Sequence, residues 1–353
     1  MNTELLSILD KSTRQMLQQY IDKRKYAVLS IGIINQSKQE IFGFGNSLLE
    51  GKVSYKDIVY EIGSLTKVFT TSLLSLLVEK GVVYLDDSIG KYEQTLQIEH
   101  PVTLKHLSTH TSGLPSVSLI KTIMNRFDKK TYRDPYCLFD VQEAITYLSR
   151  VSPDRVGKVF RYSNEGMGLL GRYLAQKLGT DLEKALLEFI CQPLGMQDTA
   201  IRLSSDQRNR LVPGYAGKDV NQPELAMKVF EGAGALRSTV TDILQFISVY
   251  LGICADHPMS KPFHVTQQEH ISQGKNFGVG LGWIIDKRNG IIWHNGSTHG
   301  YSSFLGCDPC NSIGVVILSN YRPRLMDDTL NRIGYEILTQ IRENRGTAAS
   351  PSS

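Results

Sequence analysis

Three features of this sequence predict an α+β fold: an antiparallel β-sheet with flanking helices, into which a mainly helical region is inserted. The first is a pair of β-rich apolar runs near the N-terminus, AVLSIGIINQ and QEIFGFGN, divided by a short polar turn. The second is a group of strand-like runs near the C-terminus, GLGWIIDKRNGIIWHNG, YSSFLGCD and NSIGVVILSN, with turn residues between them. The third is the contrasting middle, from about Asp86 to Leu211, where helical spacing predominates.

Taken in chain order, MNTELLSILDKSTRQMLQQYIDKRK reads as an amphipathic helix with Leu5, Leu6, Ile8, Leu9, Met16 and Leu17 available to pack. The two β-rich runs then form a hairpin. A short strand-like run, IVYEIG, leads into an apolar stretch from Ser64 to Lys80 that is free of glycine and proline, and Gly81 stands where a helix C-cap would. The middle supplies helical segments in LKHLSTHTSGL, VQEAITYLSRV, GMGLLGRYLAQKLG and LEKALLEFICQPLGM. After the C-terminal strands, Leu325 to Arg345 returns to helical spacing. These elements divide the chain into a sheet domain, residues 1–85 with 212–345, and a helical domain, residues 86–211. A tail, 346–353, is expected to be disordered. A cleft between two such halves favours a small-molecule site, with the loops Val117–Tyr136 and Asp256–Asn276 shaping it.

Composition removes several classes of function. A chain of 353 residues that is 41% hydrophobic can bury a large core, and a net charge of +4 without basic–aromatic runs gives no footprint for nucleic acid. No stretch approaches the roughly 18–20 apolar residues that span a bilayer. The most apolar region, Val68 to Leu85, is broken by Thr70, Thr71, Ser72, Glu79, Lys80 and Gly81. The N-terminus lacks the compact apolar block of a secretory signal, and five cysteines at irregular spacing do not form a disulfide framework. Both point to a reducing cytoplasm; a leader trimmed from a longer precursor would make the protein periplasmic or secreted. Nothing in the pattern sets the oligomeric state.

Ser64-Leu65-Thr66-Lys67 carries the first chemistry. The S-x-x-K spacing alone is weak, and it recurs elsewhere in the chain, as at Ser118–Lys121 and Ser272–Lys275. Context distinguishes Ser64, which opens the apolar helix with Lys67 one turn on, on the same face and about 5–6 Å away between Cβ atoms. The helix N-terminus offers free N–H groups to a developing oxyanion, and apolar surroundings would lower the lysine pKa from about 10.4 and make it a base. The same residues also suit an N-cap followed by a solvated lysine. Tyr162-Ser163-Asn164 precedes another helix: the phenol can relay a serine proton, and the amide can hold a substrate amide, although Ser and Asn there also suit plain capping. His294-Asn295-Gly296-Ser297 ends the run GIIW. On an edge strand facing the nucleophile, Gly296 would let substrate approach the backbone, Ser297 N–H would be a second oxyanion donor, and His294 would supply a hydrogen bond or, when protonated, a charge. A β-turn with a half-buried histidine is the alternative.

Together these blocks make the chain resemble the serine β-lactamase and penicillin-binding protein superfamily, in its class C-like branch. That branch includes D-alanyl-D-alanine carboxypeptidases, D-aminopeptidases, esterases and acyltransferases. The resemblance runs from about Tyr20 to Leu338 and is carried by YEIGSLTKVFTTSLLSLLVEKGVVYLDDSIGKY, LSTHTSGLP, FRYSNEGMGLLG, PLGMQDT, EGAGALRSTVTDILQF, GLGW and HNGSTHGYSSFLGCDP. It implies the β-lactamase/transpeptidase-like fold, with Ser64 as nucleophile and Lys67 and Tyr162 jointly as proton-transfer pair. Asn164 would contact a substrate amide, and His294, Gly296 and Ser297 would form the third wall. LSTHTSGLP looks like scaffold, and His110 receives no catalytic role. In one departure, His294 stands where hydrolytic β-lactamases of this branch carry lysine, which weakens recognition of a β-lactam carboxylate. The other is the missing signal sequence.

The implied activity is hydrolysis of an ester, amide or β-lactam-like bond in a small acyl or peptide substrate, without metal or cofactor. Acyl transfer through the same acyl-enzyme is the close alternative, and a non-catalytic ligand-binding relative a more distant one. Cys307 and Cys310, with His294 and His299, could be read as a zinc site, but their spacing fits no common finger and Asp308-Pro309 is a good turn.

Overall fold

The computed structural model describes residues 9–45, 53–114, 140–227, 230–254, 256–324 and 327–348. The expected packing residues Leu5, Leu6 and Ile8, the loop Val117–Tyr136 and the last part of the tail lie outside these.

The first described helix, α1 (Lys11–Asp22), starts where the Asp10 side chain accepts from Thr13 N–H at 2.7 Å. The expected hairpin follows as β1 (Val28–Asn35) and β2 (Lys38–Gly45), turning at Gln36 with a left-handed φ of 58°. Near the other end run β7 (Ile271–Ser272), β8 (Phe277–Val279), β9 (Ile284–Asp286), β10 (Ile291–Ser297), β11 (Ser302–Asp308) and β12 (Ile313–Ser319). All eight join one sheet in the order β2-β1-β12-β11-β10-β9-β8-β7, with every pairing antiparallel. The chain is therefore α+β, as its pattern predicts.

Both faces of this sheet are covered, which explains why β12 is buried at every position. One face, through Ile31, Ile33, Phe304, Val315 and Ile317, packs on α1 and the last helix, which supplies Ile333, Ile337 and Ile341. The other, through Ile34, Leu305, Val316 and Leu318, joins the main core of the molecule. Side chains that alternate across a strand separate the two apolar sets.

That main core is organised around α2 (Thr66–Glu79), whose residues Thr66 to Leu77 are all buried. Its polar residues are buried with partners, as where Thr70 Oγ1 donates to the Gly232 carbonyl and Ser75 Oγ to the Pro262 carbonyl. The helix ends at Lys80, and Gly81 adopts φ 67° immediately after, the predicted left-handed stop. The middle of the chain contributes α3 (Leu104–Ser108), α4 (Val141–Leu148), α5 (Asn164–Lys177), α6 (Leu182–Leu186) and α7 (Ser205–Asn209). Two short pairings fall outside the main sheet: β3 (Tyr60–Glu61) with β6 (Arg237–Ser238), and β4 (Gly214–Ala216) with β5 (Val220–Gln222).

Three expectations need correction. The segment Asp256–Asn276 is not a plain loop: it contains the helix α10 (Ser260–Gln267), which follows α8 (Glu231–Gly234) and α9 (Val240–Tyr250), and the edge strand β7. The last helix, α11, spans Thr329–Ala348 and so continues past residue 345, where the tail was expected to begin. LKHLSTHTSGL is helical only over its first five residues, Leu104–Ser108. Among the described residues no helix is long and apolar enough to cross a membrane. Asp308 and Pro309 form the predicted turn, with the Asp308 carboxylate accepting from Asn311 N–H at 3.2 Å.

Candidate active site

Ser64 sits in a short 3-10 turn, Gly63–Leu65, between β3 and α2, so it precedes the α-helix proper by two residues. The turn is pinned from inside: Thr66 Oγ1 donates to the Gly63 carbonyl at 2.7 Å and accepts from Leu236 N–H at 3.2 Å. Lys67, three residues on, is fully buried, and its Nζ lies 2.9 Å from Ser64 Oγ. The same nitrogen donates to the Ala233 carbonyl at 2.6 Å. Burial pushes the Lys67 amine well below the ordinary lysine value, because an ammonium there would lose its hydration. A neutral amine holding one N–H toward Ala233 has a lone pair to offer the serine hydroxyl.

Tyr162 reaches the same oxygen from a different part of the chain. Its Oη donates to Ser64 Oγ at 2.8 Å, and the Lys67 nitrogen stands 4.8 Å from the centre of its ring. Tyr162 is placed by the start of α5, where the Ser163 side chain caps the helix by accepting from Gly166 N–H at 3.0 Å. Asn164, the first residue of α5, is half-buried.

The third wall is the end of β10. Only Ile291 to Trp293 pair with β9, while His294 to Ser297 pair with β11 alone. β10 is thus an interior strand whose last four residues are paired on one side only, rather than an edge strand throughout. Gly296 is needed there for a reason other than substrate approach: a Cβ on it would lie 2.1 Å from the Ile62 carbonyl and 3.0 Å from Ser64 N. A Cβ on Gly63 would in turn lie 2.8 Å from Ser297 N, so the amides of Ser64 and Ser297 border one space. Ser303 Oγ fastens the contact by donating to the Ile62 carbonyl at 2.8 Å.

His294 is 2% exposed, and its Nδ1–H donates to the Asn295 carbonyl at 2.6 Å, which leaves Nε2 as an acceptor. Burial foremost lowers its pKa to about 3. His294 therefore brings a neutral imidazole to the cleft, and of its two expected roles only the hydrogen bond remains at ordinary pH. The cleft has a volume of about 420 Å³, and its walls include Ser64, Tyr162, His294, Gly296 and Ser297 together with Phe160, Phe277, Ile284 and Leu330.

Sequence reasoning missed two contributors. The Ala233 carbonyl comes from α8, in a glycine-rich segment read as scaffold, and His110 packs beside Tyr162 with ring centres 4.6 Å apart. The Cys307 thiol is buried on β11, which pushes its pKa up, while Cys310 is exposed in the following turn.

Fold and site together define a serine hydrolase of the acyl-enzyme type. The chain belongs to the beta-lactamase family, whose model matches residues 13–338. Among curated relatives, it is 27% identical over 314 residues to the D-alanyl-D-alanine-carboxypeptidase/endopeptidase AmpH of Escherichia coli strain K12, covering 82% of this chain and 78% of that protein. Among solved structures, a class C beta lactamase from Rhodobacter sphaeroides matches with a TM-score of 0.78 at 23% identity, over 94% of this chain and 100% of that one. D-alanine carboxypeptidase AmpC from Burkholderia cenocepacia matches with a TM-score of 0.77, also at 23% identity, over 96% and 99%. These last two likenesses are of fold.

Proposed function

We propose that Ser64 is the nucleophile of a hydrolase that cleaves an ester or amide bond in a small acyl or peptide substrate. Ser64 Oγ attacks the carbonyl carbon while its proton passes to the pair formed by Lys67 and Tyr162. The oxyanion is held by the N–H groups of Ser64 and Ser297, and the leaving group departs with the proton that the pair returns. Water then resolves the acyl-enzyme by the same route. Asn164 contacts the substrate amide, and His294 accepts a hydrogen bond from the substrate.

What carries this reading is one oxygen: Ser64 Oγ is 2.9 Å from Lys67 Nζ and 2.8 Å from Tyr162 Oη. A structural serine has no use for both a neutral amine and a phenol. The neutral His294 favours peptidase-like or esterase-like substrates over those recognised through an anionic group. The name of the Escherichia coli relative, a carboxypeptidase and endopeptidase, supports a peptide substrate. The division into a sheet lobe (1–85 with 212–345) and a helical lobe (86–211) belongs to this proposal, since Ser64 and His294 come from the first and Tyr162 from the second.

A panel of p-nitrophenyl esters, D-amino-acid amides and nitrocefin tests it. Turnover of at least one class is expected, and Ser64→Ala should abolish that turnover with the fold intact. Lys67→Ala and Tyr162→Phe should each lower kcat/KM by on the order of 10²–10⁴. Undiminished rates in Ser64→Ala would end the proposal.

A further inference from the structure

One buried histidine that the proposed reaction does not use stands beside its phenol. His110 is 3% exposed and follows α3 with a left-handed backbone, φ 58°. Its carbonyl accepts from Arg161 N–H at 2.7 Å, and its Nδ1 accepts from Ser163 N–H at 3.2 Å. Tyr162 is the residue between those two amides. The imidazole also lies against the phenol ring, with centres 4.6 Å apart and planes inclined by 36°. A single side chain and its own carbonyl therefore hold the backbone on both sides of Tyr162 and one flank of its ring.

Because Nδ1 accepts, the imidazole proton sits on Nε2, and that N–H has no hydrogen-bond partner among the described residues. Burial holds the ring well below the usual histidine pKa, in keeping with an Nδ1 that accepts. A buried unpaired donor and a left-handed non-glycine backbone both cost stability. Two unfavourable features meeting at one residue beside a reacting group are poorly explained by fold stability and well explained by a site that needs its phenol held in one pose.

We propose that His110 is the positioning residue for Tyr162: its carbonyl, Nδ1 and ring face fix the phenol at hydrogen-bonding distance from Ser64 Oγ. The inference rests on the reading of Tyr162 as half of the proton-transfer pair.

The test is the rate at which a fluorophosphonate labels Ser64 in the wild type, His110→Ala, His110→Asn, Tyr162→Phe and the His110→Ala/Tyr162→Phe double variant. His110→Ala should slow labelling by about 10–100-fold, approaching the loss in Tyr162→Phe. His110→Asn should stay within about 3-fold of wild type, since asparagine tolerates the left-handed region and its Oδ1 can accept the Ser163 amide. If His110 acts through Tyr162, adding His110→Ala to Tyr162→Phe should change the rate by less than about 2-fold. A His110→Ala rate equal to wild type, or a full additional loss in the double variant, overturns the inference. Should His110→Ala not fold, His110→Gly, which keeps the left-handed backbone and the carbonyl, takes its place in the cycle. A wild-type rate in Tyr162→Phe would instead overturn the reading of Tyr162, and this inference with it.

Discussion

At the scale of single residues, Lys67 has two consequences that pull in opposite directions. Its amine is useful because burial keeps it neutral, 2.9 Å from the serine hydroxyl, and the same burial penalises folding whenever a lysine in water would be protonated. The folded pKa lies below the unfolded value, so the unfolded chain binds the extra proton and stability rises with pH across the interval between them. The wild type should therefore gain stability relative to Lys67→Met as the pH is raised from about 7 toward about 10.4, the ordinary lysine value. Chemical denaturation at several pH values measures this, and a constant difference would mean that Lys67 is charged in the folded protein. Acylation should show the matching sign, with kcat/KM falling as the pH drops below the lowered lysine pKa. His294, neutral down to about pH 3, should add no inflection near neutrality. Ser64 and Lys67 were readable as a pair because three residues along one helical turn fix their separation. The Ala233 carbonyl was not, since 166 positions separate it from the amine it receives.

At the scale of elements, the site depends on how closely β10 lies against the turn that carries Ser64. Strand β9 stops pairing at Trp293, and beyond it the face of β10 lies against the Ile62–Ser64 backbone, with Gly296 at the point of contact. A methyl group there would sit 2.1 Å from a backbone carbonyl, which cannot rotate away as a side chain could. Gly296→Ala should therefore displace the strand and cost about 1–3 kcal/mol of stability. It should also lower kcat/KM by at least about 10-fold, because the oxyanion amides would move apart. Thermal unfolding and ester kinetics on the purified variant check both, and a variant with wild-type values would show that the contact is not needed. The sequence supported Gly296 as a backbone-approach site but named substrate as the approaching group; the neighbour is the nucleophile's own turn. Longer strands and the buried helix α2 were legible from alternation and from an apolar run with a glycine stop. Helix α10 was not, because it is eight residues long, carries Pro262 in its first turn and buries few side chains.

At the scale of the whole molecule, the groups of the proposed site come from separate stretches of the chain: residues 63–67, 162–164, 233 and 294–297, with His110 from a fifth. No one stretch contains a working site; the eight-stranded sheet and the core around α2 bring Ser64, Tyr162 and 294–297 to one cleft, and Lys67, Ala233 and His110 stand directly behind them. The family membership and α+β architecture were available from motif order over nearly the full chain. The way His110 and Ala233 complete the site required coordinates. This assembly should form a covalent ester on a single hydroxyl, that of Ser64. Acid-quenched mass spectrometry after brief exposure to an activated p-nitrophenyl ester measures that directly. One acyl group per chain is expected, on the peptide containing Ser64, accumulating more slowly in Lys67→Met and Tyr162→Phe and absent in Ser64→Ala. An acyl group on another residue, or equal labelling of Ser64→Ala, would contradict it.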